Sequence, residues 1–156
     1  MKNNQNQVVI DHLNIILRNE LVAINQYFLH AKILEDQGFT KLAAISKSES
    51  IDEMRHADLI IARILFLKGM PKMSDYKKLN IGESVVEMLQ SDLQLEIEAI
   101  ADLKNSITGA CKHTDTGTKD LLEKILISEE THLDFLRRQL ELIEKIGLQN
   151  YLTTQL

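Results

Sequence analysis

Apolar and polar positions follow one another along most of the chain with the spacing of an amphipathic α-helix. Apolar residues recur every three or four positions, which places one apolar stripe on each of four long segments. The single proline, Pro71, and a few glycines separate these segments. The pattern predicts long helices over residues 6–36, 40–68, 83–111 and 118–146, followed by a short fifth helix after Gly147.

The connections between the predicted long helices differ in length. The first and third connections are short, whereas residues 69–82 form a longer link between the second and third helices. Short links join antiparallel neighbours, and one long link fits a crossover between two helical hairpins. We therefore expect an all-α single domain over residues 1–156, built as a four-helix bundle with a long crossover and a short C-terminal fifth helix.

Acidic and histidine residues interrupt the apolar stripes in a pattern that occurs twice. A glutamate on one helix is combined with a Glu-x-x-His motif on the next helix. The whole pattern recurs 76 residues later with the same residue types. The two copies are Glu20 with Glu53 and His56, and Glu96 with Glu129 and His132.

These inward-facing groups predict a dinuclear metal centre. Residues three apart share one helix face, so each Glu-x-x-His motif can chelate one ion. Two divalent ions balance four carboxylates, which would be costly to bury unpaired in an apolar core. Glu20 and Glu96 would then bind one ion each, and Glu53 and Glu129 would bridge the two ions. This ligand set resembles that of the ferritin-like dinuclear carboxylate proteins.

The expected metal follows from the donor atoms. Mixed oxygen and nitrogen ligands favour iron or manganese, although zinc and cobalt bind the same donors. We expect two iron ions per subunit and oxidation of ferrous iron as the chemistry.

Bulk composition excludes several other classes of function. A net charge of −5 argues against nucleic-acid binding, and the single cysteine, Cys111, excludes an intrachain disulfide framework. The most apolar stretch, residues 59–67, is short and contains Arg63, so we expect no membrane span. The polar start MKNNQNQ lacks the apolar stretch of an export signal. We therefore expect a cytoplasmic protein.

Segments along the whole chain resemble the bacterioferritin family. The resembling segments are NELVAINQYFLHA (19–31), ESIDEMRHAD (49–58), RILFLKGMP (63–71), LNIGE (79–83) and GLQNYL (147–152). Met54 lies inside the first Glu-x-x-His motif but on a different side of the helix. The resemblance implies that Met54 is an axial ligand of haem b shared between two subunits; the alternative is an ordinary interface methionine.

The resemblance also implies an assembly and an activity. The expected assembly is a homo-oligomeric shell of 24 subunits, built from twofold dimers, that stores ferric mineral. The expected activity is that of a ferroxidase, with dioxygen or peroxide as oxidant, and an electron-donating ferredoxin would serve iron release. Tyr27 would give up an electron during oxidation, or would simply be a core aromatic residue. Alternatives are a haem-binding or structural subunit that co-assembles with another ferritin, and a diiron oxygenase or peroxidase.

Some positions depart from the family pattern. Ser48 stands where many bacterioferritins carry a histidine of an inner-surface iron site, although Asp52 is retained. Gln37 and Phe135 stand where relatives often carry tryptophan, and Ile60 where some carry tyrosine. We expect the accessory iron site and any aromatic electron relay to be altered.

The remaining polar candidates have weaker patterns. Asp52 and Asp92 could accept the second ring N–H of a ligating histidine, or could face solvent. Three further histidines match no ligand spacing and are expected at the surface or in packing roles: His12, His30 and His113.

Overall fold

The computed structural model describes the backbone of residues 4–156 and the side chains from Asn6 onward, so the first three residues of the polar start lie outside the described part. Residues 4–156 contain five helices, and the ends of the four long ones differ from the predicted ends by at most two residues. The all-α fold is thereby confirmed. The helices are α1 (Asn4–Asp36), α2 (Thr40–Phe66), α3 (Val85–Lys112), α4 (Thr116–Ile146) and α5 (Leu148–Thr153).

Local polar groups explain where two of the helices begin. At the start of α3, the Ser84 hydroxyl accepts from the Glu87 N–H, and the Glu87 carboxylate accepts from the Ser84 N–H. This capping box satisfies N–H groups that the first helical turn leaves unpaired. Asp115 caps α4 by accepting from the Thr118 N–H.

The helices form two hairpins joined by the crossover. The α1–α2 hairpin packs on the α3–α4 hairpin mainly through α1 and α3, whereas α2 and α4 meet over a smaller area. The short α5 folds back on α4. Among the described residues, no helix is long and apolar enough to cross a membrane.

Two apolar clusters occupy the two ends of the bundle. The lower cluster joins the first half of α1 to the second half of α2, the end of α3 and the start of α4; its members include Leu13, Leu17, Ile60, Ile64, Leu103, Leu122 and Ile125. The upper cluster lies at the opposite end and includes Leu34, Leu42, Val85, Met88, Leu89, Leu136 and Tyr151. On every long helix, the predicted metal ligands fall between the two clusters.

Side chains of α1 accept hydrogen bonds that hold the crossover, residues 67–84, along that helix. Three backbone N–H groups of the crossover donate to side chains of α1: Lys72 to Asn14 Oδ1 (2.9 Å), Asn80 to Gln26 Oε1 (3.1 Å) and Gly82 to His30 Nε2 (3.0 Å). The long link is therefore fixed at both ends, which positions α3 against α1.

Candidate metal centre

The structure brings all six predicted ligand residues together in the middle of the bundle. Their donor atoms form two groups, and within each group the donors lie within 4.8 Å of one another. Glu53 and Glu129 belong to both groups, which is the arrangement predicted for bridging carboxylates. The first group is Glu20, Glu53, His56 and Glu129, and the second is Glu53, Glu96, Glu129 and His132.

Each histidine turns its Nδ1 atom toward the carboxylates. His56 Nδ1 lies 3.0 Å from Glu129 Oε1, 3.1 Å from Glu53 Oε2 and 3.5 Å from Glu20 Oε2. His132 Nδ1 lies 3.0 Å from Glu96 Oε1. The same ring atom of each histidine therefore faces the space enclosed by its group.

Unsatisfied carboxylate oxygens test whether this space suits cations. Among the described residues, three buried glutamate oxygens at the centre have no hydrogen-bond partner: Glu20 Oε2, Glu96 Oε2 and Glu129 Oε1. A buried carboxylate oxygen without a partner is costly, and a divalent cation would satisfy it. Four glutamates and two histidines match the needs of two such cations in number and in donor type.

Burial shifts the protonation of these groups strongly. It raises the pKa of Glu129 to about 11 and the pKa of Glu53 well above its ordinary value, with Glu20 adding repulsion at Glu53. Burial also raises the pKa of Glu20. At His56, burial opposes the charged form, but the negative carboxylates that face the ring, first Glu129 and then Glu20 and Glu53, raise its pKa to about 12. In the absence of cations, protons therefore occupy the centre.

The Glu96 side chain behaves differently from the other three glutamates. Burial acts to raise its pKa, but hydrogen bonds, first from His132, bring the net pKa below the ordinary value. Burial likewise opposes the charged form of His132, yet Glu96 raises the pKa of that ring. Glu96 and His132 thus form an ion pair beside the other carboxyl groups.

Tyr27 supports only one of the two groups. Its hydroxyl donates a hydrogen bond to Glu96 Oε1, and its ring meets the ring of His132 edge to face at 5.1 Å between centroids. Burial raises the pKa of Tyr27 well above its ordinary value, so the phenol keeps its proton. The residue 76 positions further on is Leu103, which is apolar and buried. The two groups therefore differ in their surroundings.

Glu49 is a polar neighbour of the centre to which the sequence assigned no role. Its Oε2 lies 3.6 Å from His132 Nδ1, and its side chain is a quarter exposed at 25%. Glu49 precedes Glu53 by one helical turn on the same stripe, and this spacing in the sequence indicates that the two side chains lie on the same face of α2. The repeated ligand pattern does not include Glu49, because the residue 76 positions later is the buried Ile125.

Neither aspartate predicted to orient a ligating histidine does so. Asp52 accepts a hydrogen bond from Arg55 on the helix surface. Asp92 is buried, but its Oδ1 accepts from Gln26 and lies 2.8 Å from His30 Nδ1. The Asp52 side chain has the surface position that was the alternative for it. Neither expectation holds for Asp92, because it is buried and projects toward α1 and the crossover rather than toward His132.

The other histidines have the packing or surface positions that were expected. His30 is fully buried and bridges Asp92 and the Gly82 N–H. His12 is partly buried, with Nδ1 3.3 Å from Ser106 Oγ. His113 is partly exposed at the end of α3.

Met54 lies outside the metal centre. Its side chain is 58% exposed on α2, and Ile51, one turn earlier, is also exposed. Ser48 and Cys111 are exposed as well. The Met54 side chain is thus accessible to another molecule. Of the positions where relatives carry other aromatic residues, Phe135 is partly buried near His132, and Ile60 is fully buried in the lower cluster.

Comparison with known protein families identifies the class of protein to which this chain belongs. A family model described as Ferritin-like domain matches residues 10–146. This range includes α2, α3, α4 and all six clustered residues, so the chain is a ferritin-like protein.

Individual relatives show which family of ferritin-like proteins the chain belongs to. Bacterioferritin of Streptomyces coelicolor is 47% identical over 146 residues, covering 94% of this chain and 87% of that protein. Bacterioferritin of Mycobacterium bovis is 46% identical, covering 92% and 90%, and the bacterial ferritin of Synechocystis sp. is 46% identical, covering 95% and 96%. The chain belongs to the bacterioferritin family.

Proposed function

We propose that this protein stores iron and oxidises ferrous iron at the six-residue centre. Family membership supports iron storage, and one observation carries the ferroxidase activity: two four-donor groups share Glu53 and Glu129. This sharing holds two substrate ions side by side, so that one oxidant can take an electron from each.

The side chains of the centre have distinct tasks in this proposal. His56 and His132 bind one ferrous ion each through Nδ1, and Glu20 and Glu96 provide the carboxylates specific to each ion. Glu53 and Glu129 hold the two ions together. Because ligands must be deprotonated to bind a cation, the protons held by Glu129 and His56 leave as iron binds. Burial among the helices limits access of bulk water to the ions.

Tyr27 positions Glu96 in this proposal. The phenol occupies one lone pair of Glu96 Oε1, which leaves Oε2 to face a cation. Its edge-to-face contact with His132 also restricts the orientation of that ring. A role of Tyr27 as electron donor remains a prediction.

Ferrous-iron oxidation by single variants tests the proposed centre. We expect Glu20→Ala and His132→Ala to lose most of the initial rate, because each change removes one donor from a different group. Glu35→Ala is a matched control, since Glu35 is exposed and pairs with Lys32 on the surface of α1. Initial rates equal to the wild-type rate in both variants of the centre would refute the site assignment.

We further propose that Met54 is an axial ligand of haem b shared with a second subunit. The support is its exposed position beside another exposed apolar residue, Ile51, on α2. Haem bound there would supply a route for electrons that reduce stored ferric iron. Met54→Leu should abolish the absorption bands of methionine-ligated haem, whereas Met73→Leu, which changes another exposed methionine, should not. Retained haem in Met54→Leu would remove Met54 from the site.

The assembly belongs to the same proposal. We expect a cytoplasmic shell of 24 copies of this chain, with an electron-donating ferredoxin as the partner for iron release. The alternative is a haem-binding or structural subunit that co-assembles with another ferritin. Sedimentation of the purified protein decides between them: a homogeneous shell that mineralises iron unaided supports the proposal, and a chain that mineralises iron only with a second subunit supports the alternative. A diiron oxygenase or peroxidase would instead consume an organic substrate in step with iron turnover.

A further inference from the structure

A small cavity lies against the His132 side of the centre. Its volume is ≈ 20 Å³, and its wall includes Tyr27 and His132 together with side chains of the upper cluster. A space of about 10–15 Å³ suffices for one water molecule, so this cavity has room for a molecule of that size or for a diatomic gas. The cavity therefore places a small guest next to two side chains of the centre.

Most of the cavity wall is apolar. Leucine, isoleucine, valine, methionine and phenylalanine side chains from all four long helices contribute to it, among them Leu89, Val85 and Leu136. A larger engineered cavity of roughly 150 Å³ with such an apolar lining stays dry and accepts apolar guests such as xenon.

The polar side chains in the wall already have hydrogen-bond partners. Ser46 Oγ donates to the Tyr27 carbonyl oxygen, and the Tyr27 hydroxyl donates to Glu96. Asp92 Oδ1 accepts from Gln26. A water molecule needs two to four polar partners to be held in such a cavity, and these groups offer few free positions. The polar part of the wall therefore does not favour water over an apolar guest.

The cavity also has a side that faces the surface. Ile45 of α2 is 36% exposed, and Phe135 of α4 is partly buried, so both lie where α2 meets α4 near the outside of the bundle. Side-chain rotation at these two residues would admit a small molecule without unfolding a helix. The deeper residues Tyr27 and His132 then lie at the inner end of the same space.

We propose that this cavity is the pocket from which dioxygen reaches the two ferrous ions. This inference rests on the proposed ferroxidase function and names its oxidant. Each ferrous ion gives up one electron, and dioxygen takes both electrons with two protons to leave hydrogen peroxide. Hydrogen peroxide as the oxidant would instead take two electrons and two protons, with cleavage of its O–O bond, to leave two waters. Peroxide is polar, and the apolar wall does not satisfy its hydrogen-bonding groups.

Xenon bound in crystals of the wild-type protein gives a test that does not depend on activity. Under xenon pressure, we expect a xenon atom in the cavity beside His132. We expect no xenon there in Val85→Leu, because the larger side chain fills the space. Absence of xenon from the wild-type cavity would overturn the proposal.

The oxygen dependence of ferrous-iron oxidation tests the same pocket in solution. We expect Val85→Leu to raise the KM for dioxygen several-fold while leaving the rate with hydrogen peroxide unchanged. Val9→Leu is the matched control, because it makes the same change at a buried valine of the lower cluster, away from the cavity. Phe135→Trp provides a second enlarged side chain in the wall if Val85→Leu does not fold, and it should also raise this KM.

The outcomes separate the pocket from the function itself. Unchanged KM for dioxygen in a folded variant that excludes xenon would overturn the pocket and leave the ferroxidase intact. Equal slowing with dioxygen and peroxide would also overturn it, because the substitution would then have disturbed the centre. Failure of the wild-type protein to oxidise ferrous iron with either oxidant would refute the proposed function and the pocket with it.

Discussion

Tyr27 donates a hydrogen bond to Glu96, whereas the corresponding carboxylate of the other group, Glu20, has no tyrosine beside it. The residue that matches Tyr27 in the second half of the chain is the buried leucine Leu103. The Oε2 of Glu20 is buried without a hydrogen-bond partner. Two halves with the same ligand spacing thus build unequal surroundings for their ions.

Tyr27→Phe should clearly slow ferrous-iron oxidation, whereas its effect on the free energy of unfolding should be small. The loss of one hydrogen bond costs about 1 kcal/mol of the free energy of unfolding, but it also frees Glu96 and the His132 ring to move. Stopped-flow oxidation rates and thermal unfolding measure the two effects. Tyr151→Phe is the control, since Tyr151 is a buried residue whose hydroxyl donates to Gln139 away from the centre. Equal oxidation rates in both variants would show that Tyr27 does not position Glu96.

Divalent cations should bind to the centre in two unequal steps. Glu96 and His132 have Tyr27 and Glu49 beside them, whereas Glu20 and His56 have the apolar residues of the lower cluster nearby. Calorimetric titration with zinc should therefore resolve two affinities per subunit. Glu49→Gln should weaken one step more than the other, because the Glu49 carboxylate lies against His132, with Oε2 3.6 Å from Nδ1. A single step of two identical sites would contradict the asymmetry.

Cation binding should release protons and should strengthen as the pH rises. Burial raises the pKa of Glu129 to about 11, and although burial opposes the charged form of His56, the carboxylates around that ring raise its pKa to about 12. Both groups therefore hold protons at neutral pH, and a cation must displace them. Zinc titrations in buffers of different ionisation enthalpy count these protons. Binding without proton release between about pH 6 and 8, roughly the range in which histidine ordinarily titrates, would contradict the assignment.

His30→Ala should destabilise the fold without removing a metal ligand. The change leaves the Gly82 N–H without its acceptor and takes one partner from Asp92, both in buried surroundings. Unsatisfied buried groups of this kind cost roughly 1–3 kcal/mol each. Chemical denaturation measures the loss, with the partly exposed His113→Ala as control. Equal stability of the two variants would mean that His30 does not hold the crossover.

The helices and the six clustered residues could be predicted from the sequence because both depend on the spacing of residues along each helix. A stripe repeating every three or four residues marks a helix, and a repeated Glu-x-x-His motif marks facing side chains. The relation between Glu20 and Glu53 in space then follows from the short α1–α2 connection. The resemblance to bacterioferritins added Met54, which no spacing rule selects.

Features that depend on contacts between helices could not be predicted in this way. The sequence allows Asp92 to contact a ligating histidine, but in the structure its Oδ1 accepts from Gln26 and lies beside His30 Nδ1, both on α1. The role of His30 in holding the crossover depends on the path of a loop that has no periodic pattern. The cavity at His132 depends on how side chains from four helices fill one space.

Anomalous diffraction from crystals soaked anaerobically with ferrous iron tests the central claim most directly. The account predicts two iron peaks per subunit, one among Glu20, Glu53, His56 and Glu129 and the other among Glu53, Glu96, Glu129 and His132. Both peaks should disappear in Glu53→Ala crystals or lose most of their occupancy, since Glu53 belongs to both groups. A single iron, or iron bound elsewhere with this centre empty, would contradict the account.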